Sequence, residues 1–238
     1  MNAEELLERY ANGDRDFAGA DLSGIVLTIA YARELFEQYK PEENTWSHGF
    51  NLSEINLSEA NLEAANLEGI NLMRANLSKA NLTGANLQFA RLNEADFREA
   101  NMREAILSWA CLHQTNLSRA ILEWANLGGA GLVETVLHRA KLRGADVSTD
   151  DCMDVDFSRA DMREATASFC PPKERCNFSK VNWNRGGIQQ CMFIDCDFTK
   201  ARFSKATVIE SRFIRCNFSE VLLKKAKIFD AGKEDCIF

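Results

Sequence analysis

The cysteines are the residues of this chain whose type and spacing best suit chemistry. Eight occur, and four follow one another at intervals of twenty residues: Cys176, Cys196, Cys216 and Cys236. Cysteines can bind zinc or form disulfides. Zinc needs ligands arranged tetrahedrally around one point, whereas a regular interval places one cysteine per turn of a repeating structure, along a line. We therefore predict that these cysteines pack as small apolar residues, with no metal and no cofactor bound.

The three histidines, His48, His113 and His138, form no catalytic motif. No serine or cysteine lies in a recognisable nucleophile motif with a histidine partner. No phosphate-binding loop or dinucleotide fingerprint occurs. The sequence therefore predicts a protein that is not an enzyme. The alternative that this reasoning leaves open is an enzyme with an unrecognised surface site.

A repeat of five residues must position all of these side chains. From Leu52 to Ala167 the repeat runs through 24 pentads, with a large apolar centre at nearly every fifth position and a small residue two positions before it. A helix repeats about every 3.6 residues and a strand about every two. A period of five indicates a short strand followed by a corner, so four pentads close a coil of twenty residues on which the next coil stacks. The predicted interior includes Leu62, Leu82, Met102, Leu122 and Leu142.

The C-terminal residues support the coil of twenty. A phenylalanine lies two positions after each of the regularly spaced cysteines, which predicts a column of small and large interior residues. The residues before the cysteines alternate in charge, which predicts a surface ladder worth under about 1 kcal/mol per pair. The interior residues of this part are Cys176, Phe178, Cys196, Phe198, Cys216 and Phe218, and the charged residues are Arg175, Asp195, Arg215 and Asp235.

Asparagine precedes eight successive centres, from Asn51 to Asn86. We interpret it as a corner residue, because its amide bonds to nearby backbone and tolerates turn geometry. The pattern of Ala, Asn or Asp, Leu and two variable residues resembles the pentapeptide-repeat family over residues 15–30 and 50–238. The resemblance implies an all-β fold, a right-handed quadrilateral β-helix with four pentads per coil. The N-terminal sequence is similar to that of cyanobacterial members.

Residues 1–13 are predicted to form an N-terminal capping helix. Asn2 and Glu5 have the spacing of a helix-capping pair, and Gly13 follows as a stop signal. Residues 14–238 are predicted to form a single repeat domain. An apolar helix face beside the first coil would cover the open end of such a domain.

Two interruptions of the period are expected, an insertion at about 31–49 and a bulge at about 168–176. Asp150 falls at an inward position just before the bulge, where an unpaired carboxylate is costly. We expect local distortion of the backbone there. Clustered carboxylates can bind calcium, but the spacing of a calcium loop is absent, so cation binding stays open. The acidic cluster comprises Asp150, Asp151, Asp154 and Asp156.

The formal net charge of −7 is divided unevenly, with −12 over residues 1–171 and +5 over residues 172–238. A broadly basic face is absent, so direct binding of nucleic acid is not expected. No apolar run approaches the ~20 residues of a membrane span. No signal peptide is recognisable. These features predict a cytoplasmic protein that does not bind membranes.

Outward aromatic side chains are the feature that suggests a partner. Phe89 and Trp109 both lie two positions after a centre and twenty residues apart, and Trp124 lies on a neighbouring column. Ile106 and Ile121 replace the usual corner asparagine. An apolar patch often marks an interaction site. We therefore take these five residues as the candidate partner surface of a non-catalytic protein–protein interaction or regulatory scaffold. The alternative is that they only lie flat along the wall.

The resemblance implies a further function, because some family members inhibit DNA gyrase by resembling DNA, and some thereby protect it from quinolones. The acidic and basic side chains mix along this chain, which makes the charge resemblance incomplete. The last coil is also expected to expose strand edges, which proteins normally cover. This predicts a weak homodimer formed through the C-terminal coil.

Overall fold

The computed structural model describes residues 1–28 and 50–238, so the predicted insertion at 31–49 lies outside the described residues. In this part of the chain one helix, α1 (Ala3–Ala11), precedes a stack of parallel coils. The Glu5 N–H donates to Asn2 Oδ1 at 2.8 Å, which satisfies one of the N–H groups that the first turn leaves free. The Tyr10 hydroxyl donates to the carbonyl of Ser53 at 2.8 Å and ties the helix to the coils.

From Asn51 to Thr166, backbone pairing links residues twenty positions apart, whereas the residues before the insertion pair forty positions apart, as Asp16 does with Asn56. Asn81 pairs with Asn101, for example, and the N–H of Leu82 donates to the carbonyl of Asn101 at 2.7 Å. Each coil therefore contains four pentads, and each pentad stacks on the equivalent pentad of the next coil. The prediction of an all-β solenoid of parallel strands with a short N-terminal helix is confirmed. One ladder runs through Asn61, Asn81, Asn101, Ile121 and Lys141.

Regular strands occur towards the C-terminus, where pairing extends over two or three residues per side. The described residues form nine: β1 (Cys152–Met153), β2 (Thr166–Ser168), β3 (Lys173–Glu174), β4 (Gly187–Gln189), β5 (Met192–Ile194), β6 (Thr207–Ile209), β7 (Arg212–Ile214), β8 (Lys227–Phe229) and β9 (Gly232–Glu234). They form two parallel sheets in the orders β1-β3-β5-β7-β9 and β2-β4-β6-β8.

Apolar side chains fill the interior of the coils. Phe218 is only partly buried, since one further coil covers its ring less completely than two coils cover Phe198. The rings of these two residues stack at a centroid distance of 5.1 Å. The other interior residues named from the sequence are all at most 1% exposed: Leu62, Leu82, Met102, Leu122, Leu142, Cys176, Phe178, Cys196, Phe198 and Cys216.

Asparagine side chains hold the corners. The Ser78 N–H donates to Asn76 Oδ1 at 3.1 Å, two residues back along the chain. The amide of Asn81 donates to Asn61 Oδ1 at 3.1 Å, which links neighbouring coils. Two positions after nearly every centre the backbone has a positive φ, as at Lys79 with a φ of 58°, and Thr149 is an exception. Side chains at that position leave the wall from a left-handed backbone, a conformation that bulky residues rarely adopt.

The register changes at the predicted bulge. Through the central coils paired residues lie twenty positions apart, up to Thr166, whereas strands β2 and β4 pair twenty-one apart. The separation returns to twenty at Lys173, which pairs with Phe193. One extra residue is therefore accommodated between Ser168 and Lys173.

The prediction that Asp150 points inward is wrong. Thr149 is buried in its place, and Asp150 is exposed. The pentad that follows Val147 lacks the two-residue turn of its predecessors, so the backbone stays extended for longer and alternate residues face inward. This places a hydroxyl inside and the carboxylate outside, which avoids the cost of burying an unpaired charge.

Candidate partner surface

The five residues of the candidate partner surface lie on two ladders. Phe89, Ile106 and Trp109 share one ladder, whereas Ile121 and Trp124 belong to the other. The three aromatic side chains are each about half exposed, and Ile121 is less exposed than Ile106. The structure therefore brings three of the predicted residues together and separates the other two from them.

Both tryptophan rings rest on glycines of the next coil. A Cβ atom added to Gly129 would lie 2.7 Å from Cδ2 of Trp109, and one added to Gly144 would lie 2.2 Å from Cε3 of Trp124. The rings thus lie along the wall with one face covered by backbone. Their outer surface remains available, because Trp109 is still 56% exposed. The ring of Trp109 therefore lies flat along the wall and is exposed on its outer side.

The ladder of Trp109 leads into a recess of about 480 Å³ beside the bulge. Phe169, which is 72% exposed, forms its far wall. Sequence reasoning missed Phe169, although it lies at multiples of twenty from Phe89 and Trp109. The N–H of Ser168 donates to Ser148 Oγ at 2.9 Å and holds the bulge against the coil before it. The recess is lined by Ser108, Trp109, Asn126, Gly128, Gly129, Asp146, Ser148, Thr149, Asp150, Phe169 and Pro171.

The recess is acidic as well as aromatic. Its lining includes the carboxylates of Asp146 and Asp150 and no basic residue. Asp146 is partly covered, and its Oδ1 accepts a hydrogen bond from the Ser148 N–H at 2.9 Å. Asp150 is exposed at the rim. The aromatic side chains favour a ligand with a flat or apolar surface, and the carboxylates favour one with a positive charge. The recess therefore suits a ligand that has both properties.

Two other members of the acidic cluster, Asp154 and Asp156, accept hydrogen bonds outside the recess. Asp154 accepts two hydrogen bonds from the Arg175 guanidinium, at 2.8 and 2.7 Å, and these hold the pKa of the Asp154 carboxyl below its usual value. Asp156 accepts from the Ser158 N–H at 2.9 Å. Within residues 1–28 and 50–238, no three His, Cys, Asp or Glu side chains are grouped so that they could hold a metal ion.

The histidines do not meet at a common site. His138 Nδ1 lies 2.8 Å from Ser158 Oγ and 3.9 Å from a carboxylate oxygen of Asp156. His113 packs over Gly131 of the next coil. The third histidine, His48, lies outside the described residues. Neither of the two described histidines lines the recess.

Parallel coils of twenty residues around an apolar interior define this molecule as a β-solenoid repeat protein. The model of the pentapeptide repeats matches in 8 copies, over residues 51–88, 80–119, 120–148 and 188–228. These matches cover more than half of the sequence, and the chain belongs to the pentapeptide-repeat family.

Solved structures of other proteins are similar to this chain. HetL from the cyanobacterium Nostoc, a pentapeptide repeat protein involved in heterocyst differentiation regulation, is 28% identical with a TM-score of 0.73, over 98% of this chain and 94% of HetL. Trypsin-treated QnrB1, a plasmid-mediated fluoroquinolone resistance protein, is 17% identical with a TM-score of 0.49, over 74% of this chain and 90% of QnrB1. Comparison with functionally curated proteins gives no significant match. The described residues contain no helix with the length and apolarity needed to cross a membrane.

Proposed function

We propose that this protein is a non-catalytic scaffold that binds a protein partner at the recess between Trp109 and Phe169. The observation that supports the proposal most strongly is the combination of two exposed aromatic side chains with two carboxylates in one concave site. The carboxyl groups face no basic side chain within the recess lining. A partner would supply the missing positive charge.

The chemistry of the recess favours an arginine or lysine side chain of the partner. A guanidinium stacked on the outer face of Trp109 would gain about 0.5–2 kcal/mol. Asp146 and Asp150 lie where they can accept its hydrogen bonds, and bidentate pairing favours arginine over lysine. Phe169 and Pro171 offer apolar contacts for the residues next to that side chain. We therefore infer that the partner presents a basic residue within an otherwise apolar segment.

The solenoid itself supplies rigidity. Coils paired by backbone hydrogen bonds along every side hold Trp109 and Phe169, three coils apart, at a spacing of about 14 Å. We propose that the coils form the right-handed quadrilateral β-helix of the family and that the protein acts in the cytoplasm. The similarity to HetL over nearly the whole of both chains supports a regulatory role, since HetL is involved in heterocyst differentiation regulation.

Capture of partners by recess variants tests this proposal. The variants are Trp109→Gln and Phe169→Gln, because glutamine already occupies the same left-handed backbone position at Gln114 and Gln190. Trp124→Gln is the matched control, since it removes an equally exposed ring from the other ladder. Full-length bait would be exposed to an extract of the source cells, and retained proteins compared by quantitative mass spectrometry.

We expect to find a protein that the native bait and Trp124→Gln retain in equal amounts. Both recess variants should retain about tenfold less of it, because loss of an aromatic anchor costs over 1 kcal/mol. Asp150→Asn should weaken the same capture, and more at low salt. Equal retention by all variants would contradict the proposal. Loss with Trp124→Gln as well would assign binding to a wider surface than the recess.

Inhibition of DNA gyrase is the other function that the family resemblance implies. Ion pairs between coils reduce the acidic character that a DNA mimic needs: Lys79 Nζ lies 3.1 Å from Glu59, and Arg119 lies 3.4 Å from Glu99. A supercoiling assay with purified protein distinguishes the two functions. We expect no inhibition at micromolar concentration.

A further inference from the structure

A lysine is buried beneath the bulge. The Lys173 side chain is only 2% exposed, and its Nζ donates to Thr149 Oγ1 at 2.7 Å. No described carboxylate pairs with it. Burial of an ammonium group without a counter-charge costs several kcal/mol. The groups around Lys173 must therefore offset its charge.

Four free thiols lie close enough to this ammonium group to interact with its charge: Cys152, Cys170, Cys176 and Cys191. The sulfur atoms of Cys152 and Cys176 lie 3.6 Å apart. Cys191 Sγ lies 3.4 Å from the carbonyl oxygen of Ala167, and Cys170 Sγ lies 3.5 Å from the carbonyl oxygen of Ser168, the next residue along the chain. A thiolate is the anion that such a group of residues can supply, because a nearby lysine favours it over the thiol.

The pair of Cys170 and Cys191 spans neighbouring coils at the bulge. Ser168 pairs with Gln189, and each cysteine lies two residues after its member of that pair. Adjacent strands are about 4.8 Å apart. That separation falls within the range of about 4.4–6.8 Å between Cα atoms over which a disulfide forms without backbone movement.

Access distinguishes this pair from the other. Cys170 is 9% exposed, lies between the exposed side chains of Phe169 and Pro171, and is the point at which solvent reaches the pair, since Cys191 is only 3% exposed. Cys152 and Cys176 are almost fully buried. The neighbouring Cys170 thiol lowers the pKa of Cys191 to about 7, and the charge of Lys173 acts in the same direction. Cys191 is therefore the member of the pair that ionises more readily.

We propose that Cys170 and Cys191 are a site of reversible oxidation, which a peroxide converts to a disulfide, and that Lys173 is the positioning residue that favours the reactive thiolate. The Cys191 thiolate attacks one oxygen of hydrogen peroxide, the O–O bond breaks, and the departing hydroxide takes up a proton to become water. The Cys170 sulfur then attacks the resulting sulfenic acid, the S–S bond forms, and a second water leaves. Two thiols are oxidised by two electrons while one peroxide is reduced to two waters.

Peptide mapping of the full chain tests the site. The protein would be treated with hydrogen peroxide, its remaining thiols blocked, and the product digested with trypsin without reduction. The proposed disulfide joins peptides 164–173 and 186–200, whereas a bond between Cys152 and Cys176 joins peptides 144–159 and 176–180. Fragmentation spectra separate Cys191 from Cys196, which lies on the same peptide. We expect the first linkage and its loss on treatment with dithiothreitol.

Two variants separate a chemical role of Lys173 from a structural one. Lys173→Met keeps the length of the side chain and removes its charge, so the rate of disulfide formation should fall about tenfold, the effect of one pKa unit on the thiolate fraction. The ultraviolet absorbance of the thiolate should also fall in Lys173→Met, to the level of Cys191→Ser. Cys216→Ser, a buried cysteine further along the solenoid, is the matched control and should oxidise at the native rate.

The outcomes are distinct. A disulfide between peptides 164–173 and 186–200 that forms more slowly without Lys173 supports the proposal. Absence of that disulfide, or exclusive linkage of Cys152 to Cys176, would overturn it. If folded Lys173→Met oxidised at the native rate with unchanged thiolate absorbance, the assigned role of Lys173 would be wrong. Circular dichroism of each variant establishes that the solenoid is intact.

Discussion

Replacement of Gly129 by alanine is expected to destabilise the protein more than the same replacement at Gly84. Both glycines have a left-handed backbone, with φ of +70° and +65°. Alanine in that conformation costs about 1 kcal/mol at either position. At Gly84 the new Cβ atom meets nothing within 4 Å, but at Gly129 it would lie 2.7 Å from Cδ2 and Cε3 of Trp109. The indole ring of Trp109 must therefore move off the wall.

The extra cost follows from the area that the ring uncovers. Trp109 is 56% exposed, so nearly half of its surface is covered in the native protein. Displacement would expose on the order of 80 Å² of apolar surface. At about 25 cal/mol per Å², this corresponds to about 2 kcal/mol. We therefore expect a loss of about 3 kcal/mol for Gly129→Ala and about 1 kcal/mol for Gly84→Ala.

Urea unfolding followed by circular dichroism measures both losses, and acrylamide quenching of tryptophan fluorescence reports the position of the ring. Gly129→Ala should increase quenching, whereas Gly84→Ala should not. Equal losses of stability for the two variants, with unchanged quenching, would refute the packing of Trp109 on Gly129. The wall of the recess would then not be built as described.

Three further expectations concern the interior, the surface charges and the end of the stack. Leu82→Ala should lower the free energy of unfolding by about 3 kcal/mol, because the surrounding coils cannot collapse into the space; a loss below 1 kcal/mol on urea unfolding would contradict the close-packed interior. Asp195→Asn should lower the melting temperature at pH 7, since hydrogen bonds from Arg215 lower the pKa of Asp195 in the folded protein. That stabilisation is present above the ordinary carboxyl pKa of 3.8 and is lost as the pH falls through the folded value, so a difference between native and variant that persists in strong acid would contradict it. Leu222 and Phe229 are exposed near the edge strands β8 and β9, and light scattering should detect concentration-dependent dimers that Phe229→Lys weakens; monomers at every concentration would reject self-association.

The fold was predictable because a period of five leaves few alternatives. Leu82 and Met102 are interior residues by count alone, and the structure buries both. The same period also fits two residues of the bulge and the recess. Lys173 lies five residues before Phe178, which is an interior position in the shifted period. Phe169 lies sixty residues after Trp109 and therefore in the same outward column.

The recess was not predictable from the period. It is lined by Asp150 and Pro171, which lie at the two places where the backbone departs from the regular pentad. The period predicts an inward Asp150 only if it continues unchanged through a corner where the backbone remains extended. The five-residue period predicts which side chains face inward only where every pentad has the same type of turn. At this corner the type of turn changes. To predict a contact between coils, such as that of Trp109 with Gly129, one must know the direction of the side chain as well as the column to which it belongs.

Hydrogen–deuterium exchange tests most directly whether a partner binds at the recess. Exchange would be compared between the free protein and its complex with the protein that native bait retains and Trp109→Gln does not. We predict added protection of backbone amides around Trp109, Gly129 and residues 146–171. Protection confined to the ladder of Trp124 or to the C-terminal coils would contradict binding at the recess.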